Sequence, residues 1–320
     1  MDRRRFVKAA AAAGLAAQVP LSVSGTRVGE VVQKSGPLAR RPLGKTGEQL
    51  SIIGFGGIVV MNEPQEEANR IVCEAFEAGV NYFDVAPSYG DAELKLGPAL
   101  EPIRKDVFLA CKTGKRDKEG ASSELRASLE RLRTDHVDLY QMHAISKAEE
   151  IEQVFGPGGA MEAFAEAKKQ GLTRYLGFSA HSVEAALMAL DRFDFDTVLL
   201  PLNFVCWSKG KFGPQVLERA QSKGVAALAL KAMARTKWPG GAEKTHPKCW
   251  YQPLSDREEA RLGLRFTLSL PVTAAIPPGD ARLFRLALEL AREFIPLSPA
   301  ERQVLETRAE GLEPIFQSTS

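Results

Sequence analysis

One carboxylate, one phenol, one ammonium and one imidazole, supplied by Asp84, Tyr89, Lys112 and His143, stand at or just beyond the ends of short apolar runs. The runs cover residues 80–83 before Asp84, 107–111 before Lys112 and 137–142 before His143. Each reads as a strand buried on both faces, because its apolar residues are nearly continuous and do not alternate with polar ones. In a barrel of parallel strands the C-terminal ends converge on one mouth. The four groups would then suit hydride transfer to a carbonyl, whose oxygen needs a proton as the hydride arrives. A phenol can donate that proton if its pKa falls, and a cation within about 4–6 Å favours the phenolate. Lys112 is the expected cation. A lysine in a dry pocket keeps its charge only beside a carboxylate, and Asp84 is the expected partner. His143, an imidazole near its titration range, is expected to orient the carbonyl or relay a proton. Singly, each residue has an ordinary structural use: a turn cap, a loop aromatic, a strand-end lysine, a satisfied histidine. Only their joint placement makes a candidate site.

Strand runs at 52–55, 80–83, 107–111, 137–142, 175–178, 197–202, 225–230 and 272–276 give eight, separated by helical patterns. The first of these patterns, at 64–78, places Ala68, Ile71, Val72, Ala75 and Phe76 at helical spacing and ends at Gly79. The expected fold is therefore α/β, a (β/α)8 TIM barrel with a short N-terminal hairpin at 41–49 around Gly44 and Gly47, and with C-terminal helices. A chain of 320 residues with 44% hydrophobic content is long enough for one such domain. No GxGxxG follows a strand, which argues against a doubly wound nucleotide fold. A net charge of +2, with no basic face interleaved with aromatics, leaves no footprint for nucleic acid. The stretch 235–253, rich in Gly, Pro, Lys and Trp, is expected to be a long loop at the mouth. With 205–212 it brings Trp207, Trp238, Trp250 and Tyr251 as a possible aromatic wall for the substrate.

The segments GVNYFDVAPSYGDAE from Gly79, FLACKTGK from Phe108, DLYQMHA from Asp138 and GLTRYLGFSAHS from Gly171 resemble the aldo-keto reductase family. The resemblance runs from about Arg41 to the last helices, and Asp84, Tyr89, Lys112 and His143 match that family's Asp, Tyr, Lys and His tetrad in chain order. It implies a (β/α)8 barrel with the hairpin over its floor. It also implies a nicotinamide cofactor, NADPH more than NADH, bound in extended form, and a small-molecule carbonyl substrate. By the same resemblance Ser179 and Asn203 hold the nicotinamide carboxamide and Lys231 contacts the pyrophosphate. Arg282 and Arg285, near a helix N-terminus, would meet the 2′-phosphate, or else are solvated surface charges. The chain departs from the family at Ala180, Leu199, Ala232 and Met233, where relatives often have Asn, Gln, Pro and Leu. The Glu and Asn that relatives often use to hold adenine are also not evident. His181 lies on the rim without an assigned role.

Residues 2–8 read DRRRFVK and precede a short Ala/Gly/Leu stretch and Pro20. Arg3, Arg4, Phe6 and Lys8 match the twin-arginine export motif. The expected organisation is a twin-arginine signal peptide at 1–24, a linker at 25–40 and the barrel at 41–320. The protein would engage the twin-arginine machinery and act in the periplasm, or in the cytoplasm if the signal is unused. The apolar stretch is too short for a stable membrane anchor.

Two other readings stay open: a non-catalytic or regulatory barrel that binds a nicotinamide, and a metal-assisted sugar isomerase or lyase on the same fold. The latter needs clustered His and carboxylate ligands at strand ends, whereas only four histidines occur and only His143 closes a strand. No metal site is expected. The four cysteines lack metal-ligand spacing. Cys73 and Cys111 read as core residues, and Cys206 and Cys249 as loop residues that could pair outside the cytoplasm.

Overall fold

Gly44 (φ +53°) and Gly47 (φ +86°) turn the chain back on itself between strands β1 (Arg40–Pro42) and β2 (Gln49–Ser51), which pair antiparallel. This hairpin opens the part of the chain that the computed structural model describes, residues 37–318. The expected signal at 1–24 and the linker as far as residue 36 lie outside the described residues. Leu43 and Leu50 of the hairpin are fully buried and join a cluster with inward-facing barrel residues such as Tyr82, Phe108, Leu139 and Leu228. Arg41 anchors it by donating to the carbonyls of Val272 and Leu268, both at 2.8 Å. The hairpin thereby floors the barrel.

Seven strands follow: β3 (Phe55–Gly56), β4 (Tyr82–Asp84), β5 (Phe108–Thr113), β6 (Val137–Ile145), β7 (Thr173–Ala180), β8 (Thr197–Pro201) and β9 (Ala226–Leu230). A short antiparallel ribbon, β10 (Ala234–Lys237) with β11 (Tyr251–Pro253), and a last barrel strand, β12 (Ala274–Ile276), complete the set. The order β3-β4-β5-β6-β7-β8-β9-β12 is parallel throughout. Closure between its two ends is brief: Gly54 N–H donates to Ala275 O (3.0 Å) and Ala275 N–H to Ile52 O (2.9 Å). The expected eight-stranded barrel is the observed fold.

Side-chain alternation divides the core in two. On β5, Phe108 and Ala110 face the barrel interior, while Leu109 and Cys111 face the surrounding helices. The helix expected at 64–78 runs from Gln65 to Glu77 and buries Ala68, Ile71, Val72 and Ala75 against the sheet. Helices Ala92–Leu100 and Lys118–Leu132 meet where Gly97 lets the backbones touch. A Cβ there would lie 2.3 Å from Arg131 O. Helices Arg257–Leu268, Ala281–Arg292 and Pro299–Glu310 form the C-terminal layer.

Several expectations need correction. Lys112 and His143 lie within β5 and β6, because ladder pairing such as Lys112 with Gln141 continues past the apolar runs. The expected loop at 235–253 is pinned at both ends into the β10–β11 ribbon. Cys73 is exposed and donates to Glu77 Oε1 (3.4 Å), so it is not a core residue. Cys206 and Cys249 are buried and unpaired; Cys206 starts no loop but belongs to the helix Phe204–Ser208. Among the described residues no helix is long and apolar enough to cross a membrane.

Candidate active site

Asp84 ends β4 and Lys112 lies near the end of β5, with Asp84 in register with Ala110. That offset puts the Lys112 ammonium onto Asp84 Oδ1, and it also donates to Val85 O at 3.2 Å. Asp84 Oδ2 accepts from Tyr82 Oη and Gln141 Nε2, both at 3.1 Å. A buried carboxylate is tolerable only when it is paired and hydrogen-bonded in this way. Tyr89 follows in a turn closed by its own N–H to Ala86 O (3.0 Å). Its half-buried ring lies 5.4 Å from the Lys112 ammonium and 5.7 Å from the His143 ring, edge-on at 82°. His143 Nδ1 is 3.3 Å from Ser88 Oγ, and its carbonyl accepts from Arg116 at 2.7 Å.

The electrostatics revise the sequence reading at two of these residues. Burial pushes the Tyr89 phenol above its ordinary value. Lys112 pulls it down and Asp84 pushes it up again, so the net shift is upward. The expected lowering by Lys112 is present but outweighed by burial, to which the Asp84 carboxylate adds. Burial pulls the Lys112 pKa down, yet Asp84 and Tyr89 more than offset it, so the net shift is upward and the ammonium stays charged. His143 is held to about 3 by burial and then by Lys112, His181, Lys231 and Arg116. It is therefore a neutral imidazole at physiological pH and not the near-neutral titrating group expected.

Asp84, Tyr89, His143, Ser179 and Lys231 line one cavity of about 240 Å³ at the C-terminal ends of the strands, with Lys112 directly behind Tyr89 and Asp84. The other expected residues lie apart. Asn203 caps the helix Phe204–Ser208, its Oδ1 accepting from Cys206 N–H at 2.9 Å. Arg285 is bound to Glu74 Oε2 at 2.8 and 3.0 Å. Arg282 is bound to Asp280 Oδ2 at 3.0 Å. Asp280 itself caps the helix, accepting from Arg282 N–H and Leu283 N–H, so a carboxylate already fills the anion position there. Among the described residues no group of three or more His, Cys, Asp or Glu is placed to hold a metal.

Sequence reasoning missed the support beneath Asp84 and part of the cavity's rim. Period-two alternation could have flagged Gln141, which points inward with Leu139. Of the four expected aromatics, Trp250 and Tyr251 line the cavity. Trp207 packs on Phe266, and Trp238 donates to Cys249 O. Lys248 ties the ribbon's loop across the mouth to Val59 O (2.9 Å) and Glu63 (2.6 Å). Phe316, close to the end of the chain, contacts the rings of His181 (4.6 Å) and Trp250 (5.9 Å), and no local pattern marks it.

Residues 52–297 match the model of the aldo/keto reductase family. The chain belongs to that family. Among curated relatives of this aldo/keto reductase, L-galactose dehydrogenase of Arabidopsis thaliana is 31% identical over 211 residues, 61% of this chain and 65% of that protein. The uncharacterized oxidoreductase YqkF of Bacillus subtilis is 33% identical over 157 residues, 45% of this chain and 49% of that protein. The matches thus span from about half to just under two thirds of these relatives. The solved aldo-keto reductase AKR11C1 from Bacillus halodurans, in its holo form, shares the fold with a TM-score of 0.68 and 24% identity, over 87% of this chain and 98% of that one. The family generally binds nicotinamide cofactors, usually NADP(H).

Proposed function

We propose that this aldo/keto reductase interconverts an aldehyde or ketone and its alcohol with a nicotinamide cofactor, Tyr89 serving as the proton donor. The observation that carries the reading is the placement of a protonated phenol beside a buried, charged lysine, in a cavity that also holds a neutral imidazole. The bound nicotinamide would supply the hydride.

The residues present fit the nicotinamide end of such a cofactor. Leu230 and Ile276 offer apolar faces, and the Ser179 hydroxyl, which accepts from Ala144 N–H at 2.7 Å, retains further hydrogen-bonding capacity. With the Ser88 hydroxyl donating to Nδ1, His143 keeps a hydrogen on Nε2 for the carbonyl oxygen. Tyr89 then gives up its proton to that oxygen. The phenolate left behind faces the Lys112 ammonium, whose charge lowers the cost of the transfer. Asp84 keeps that ammonium charged, and Tyr82 and Gln141 keep Asp84 in place.

Tyr89→Phe should lower kcat by at least about a hundredfold while a fluorescence titration shows cofactor binding retained. Undiminished turnover would overturn the assignment of Tyr89. The internal commitment of Asn203 favours one competing reading, a barrel that binds a nicotinamide without turnover. A panel of carbonyl compounds that yields no turnover with bound cofactor would decide for it. For NADPH over NADH, a 2′-phosphate would have to draw the exposed Arg282 side chain away from Asp280. Arg282→Ala should weaken NADPH alone, and equal loss for both cofactors would remove that role. Arg3, Arg4, Phe6 and Lys8 support export by the twin-arginine route, which fractionation of cells making the full chain and an Arg3→Lys/Arg4→Lys variant would test.

A further inference from the structure

Tyr82 stands two residues before Asp84 on β4, so both side chains fall on the inward face of the strand. Its ring is fully buried and does not line the cavity. It lies edge-on to Phe108, with centroids 6.1 Å apart, and is seated against Gly54, where a Cβ would come within 2.5 Å of Tyr82 Cδ1. A phenylalanine ring would fill that seat equally well. The hydroxyl is the difference, and it donates to Asp84 Oδ2 at 3.1 Å. From β6, Gln141 Nε2 donates to the same oxygen at 3.1 Å, whereas the Lys112 ammonium takes Oδ1. The carboxylate is thus divided between one cation and two neutral donors.

That division bears on the proton donor, because Lys112 favours a phenolate at Tyr89 and the Asp84 carboxylate disfavours it. A hydrogen-bond donor on a carboxylate oxygen places positive charge against it and offsets part of its field. We propose that Tyr82 and Gln141 are positioning residues that act on Tyr89 through Asp84: by holding Oδ2 they soften the carboxylate's opposition to the phenolate and leave the Lys112 ammonium the stronger influence. The inference rests on the carbonyl reduction proposed above. It brings into that chemistry a second tyrosine that never meets the substrate.

The other groups around Tyr89 do not blur the effect. Burial pushes the Tyr82 hydroxyl on β4 and the Cys111 thiol on β5 well up, so both stay protonated while Tyr89 titrates. His143 on β6 and His181 after β7, at about 3 and about 4, are neutral throughout. Lys231 after β9, lowered to about 7 by burial, has given up its charge before a phenol ionises. Lys248 on the cavity wall is tied to Glu63. The alkaline ionisation of the site is therefore that of Tyr89 between Lys112 and Asp84.

The test follows alcohol oxidation, which needs the phenolate as base, against pH in the cofactor-loaded wild type, Tyr82→Phe and Gln141→Met. The substrate is the alcohol of whichever carbonyl compound turns over fastest. Tyr82→Phe keeps the ring in its seat and should move the alkaline rise of kcat upward by about half a unit to one unit of pH, a loss of about three- to tenfold at neutral pH. Cofactor affinity should not change. Gln141→Met removes the other donor and should move the rise the same way. In parallel, replacing the five tyrosines by 3-fluorotyrosine allows the phenol at position 89 to be titrated by fluorine resonance, its signal being the one missing from Tyr89→Phe. Its midpoint should lie higher in both variants than in wild type. A fall in kcat at an unchanged midpoint would leave Tyr82 and Gln141 a packing role and overturn the proposal, as would profiles that match wild type. If no compound turns over in wild type, the reduction reading fails on its own, and the fluorine titration still decides whether the two donors act on Tyr89. Should one variant not fold, the other carries both measurements.

Discussion

Tyr89 keeps its proton because burial of its phenolate, to which the Asp84 carboxylate adds, outweighs the pull of Lys112. Before cofactor binding, the acid form should persist at least to the ordinary phenol value of about 10. The pH profile of carbonyl reduction should therefore show no loss assignable to Tyr89 across the neutral range. Alcohol oxidation, which needs the phenolate as base, should rise with alkalinity. A fall in reduction between neutral pH and mildly alkaline pH that Tyr89→Phe removes would contradict this. Lys112→Met leaves Asp84 as a buried carboxylate without its cation and should destabilise the fold by about 3–5 kcal/mol in denaturant titrations. Adding Asp84→Asn should recover part of that loss. That Asp84, Tyr89, Lys112 and His143 gather at one cavity was legible in the sequence because three of them follow apolar runs and all four carry distinctive chemistry. The balance at Tyr89 was not, since it depends on how deeply the ring sits. Nor were the ion pairs that claim Arg282 and Arg285, whose partners Asp280 and Glu74 sit 2 and 211 positions away in sequence.

The strands announced themselves as apolar runs, but their ends did not. Pairing with neighbours extends β5 through Thr113 and β6 through Ile145, beyond where hydrophobicity stops, because a ladder hydrogen bond forms regardless of side chain. The ribbon β10–β11 was hidden for a related reason. Its strands are short, separated by a Gly- and Pro-rich stretch and stabilised by pairing rather than by a periodic apolar face. Helix Gln65–Glu77 was easy to read because four buried residues repeat at helical spacing. Gly97 carries a prediction about these elements. Gly97→Ala would push a methyl into Arg131 O and the Leu132 backbone, forcing two helices apart. A loss of about 1–3 kcal/mol in unfolding free energy is expected, and a neutral or stabilising effect would show that the helices can separate freely.

As a whole the barrel has a firm middle and a short seam. Among the described residues β6 is the longest strand, whereas the barrel's two ends meet through a single bridge, Ile53 with Ala275 of β12, made by two hydrogen bonds. Native-state hydrogen exchange should find the Gly54 and Ala275 amides less protected than those of Leu139 and Gln141. The molecule should also be sensitive to mild acid. His143 and His181 have folded pKa values of about 3 and about 4, below the ordinary value of about 6.5. Between those limits the unfolded chain binds more protons than the folded one, so stability falls as pH drops. The slope approaches about 1.4 kcal/mol per pH unit for each histidine. Denaturant midpoints at neutral and mildly acidic pH should differ accordingly, and His181→Asn should reduce the difference.

On the reading proposed above, the hairpin that carries Leu43 and Leu50 plugs the barrel away from the strands' C-terminal ends, so substrate and product share the mouth of the candidate cavity. Whatever goes in must come out the same way, so reactant and spent molecule queue at a shared threshold. Accumulating alcohol should therefore slow the next turnover by occupying that entrance.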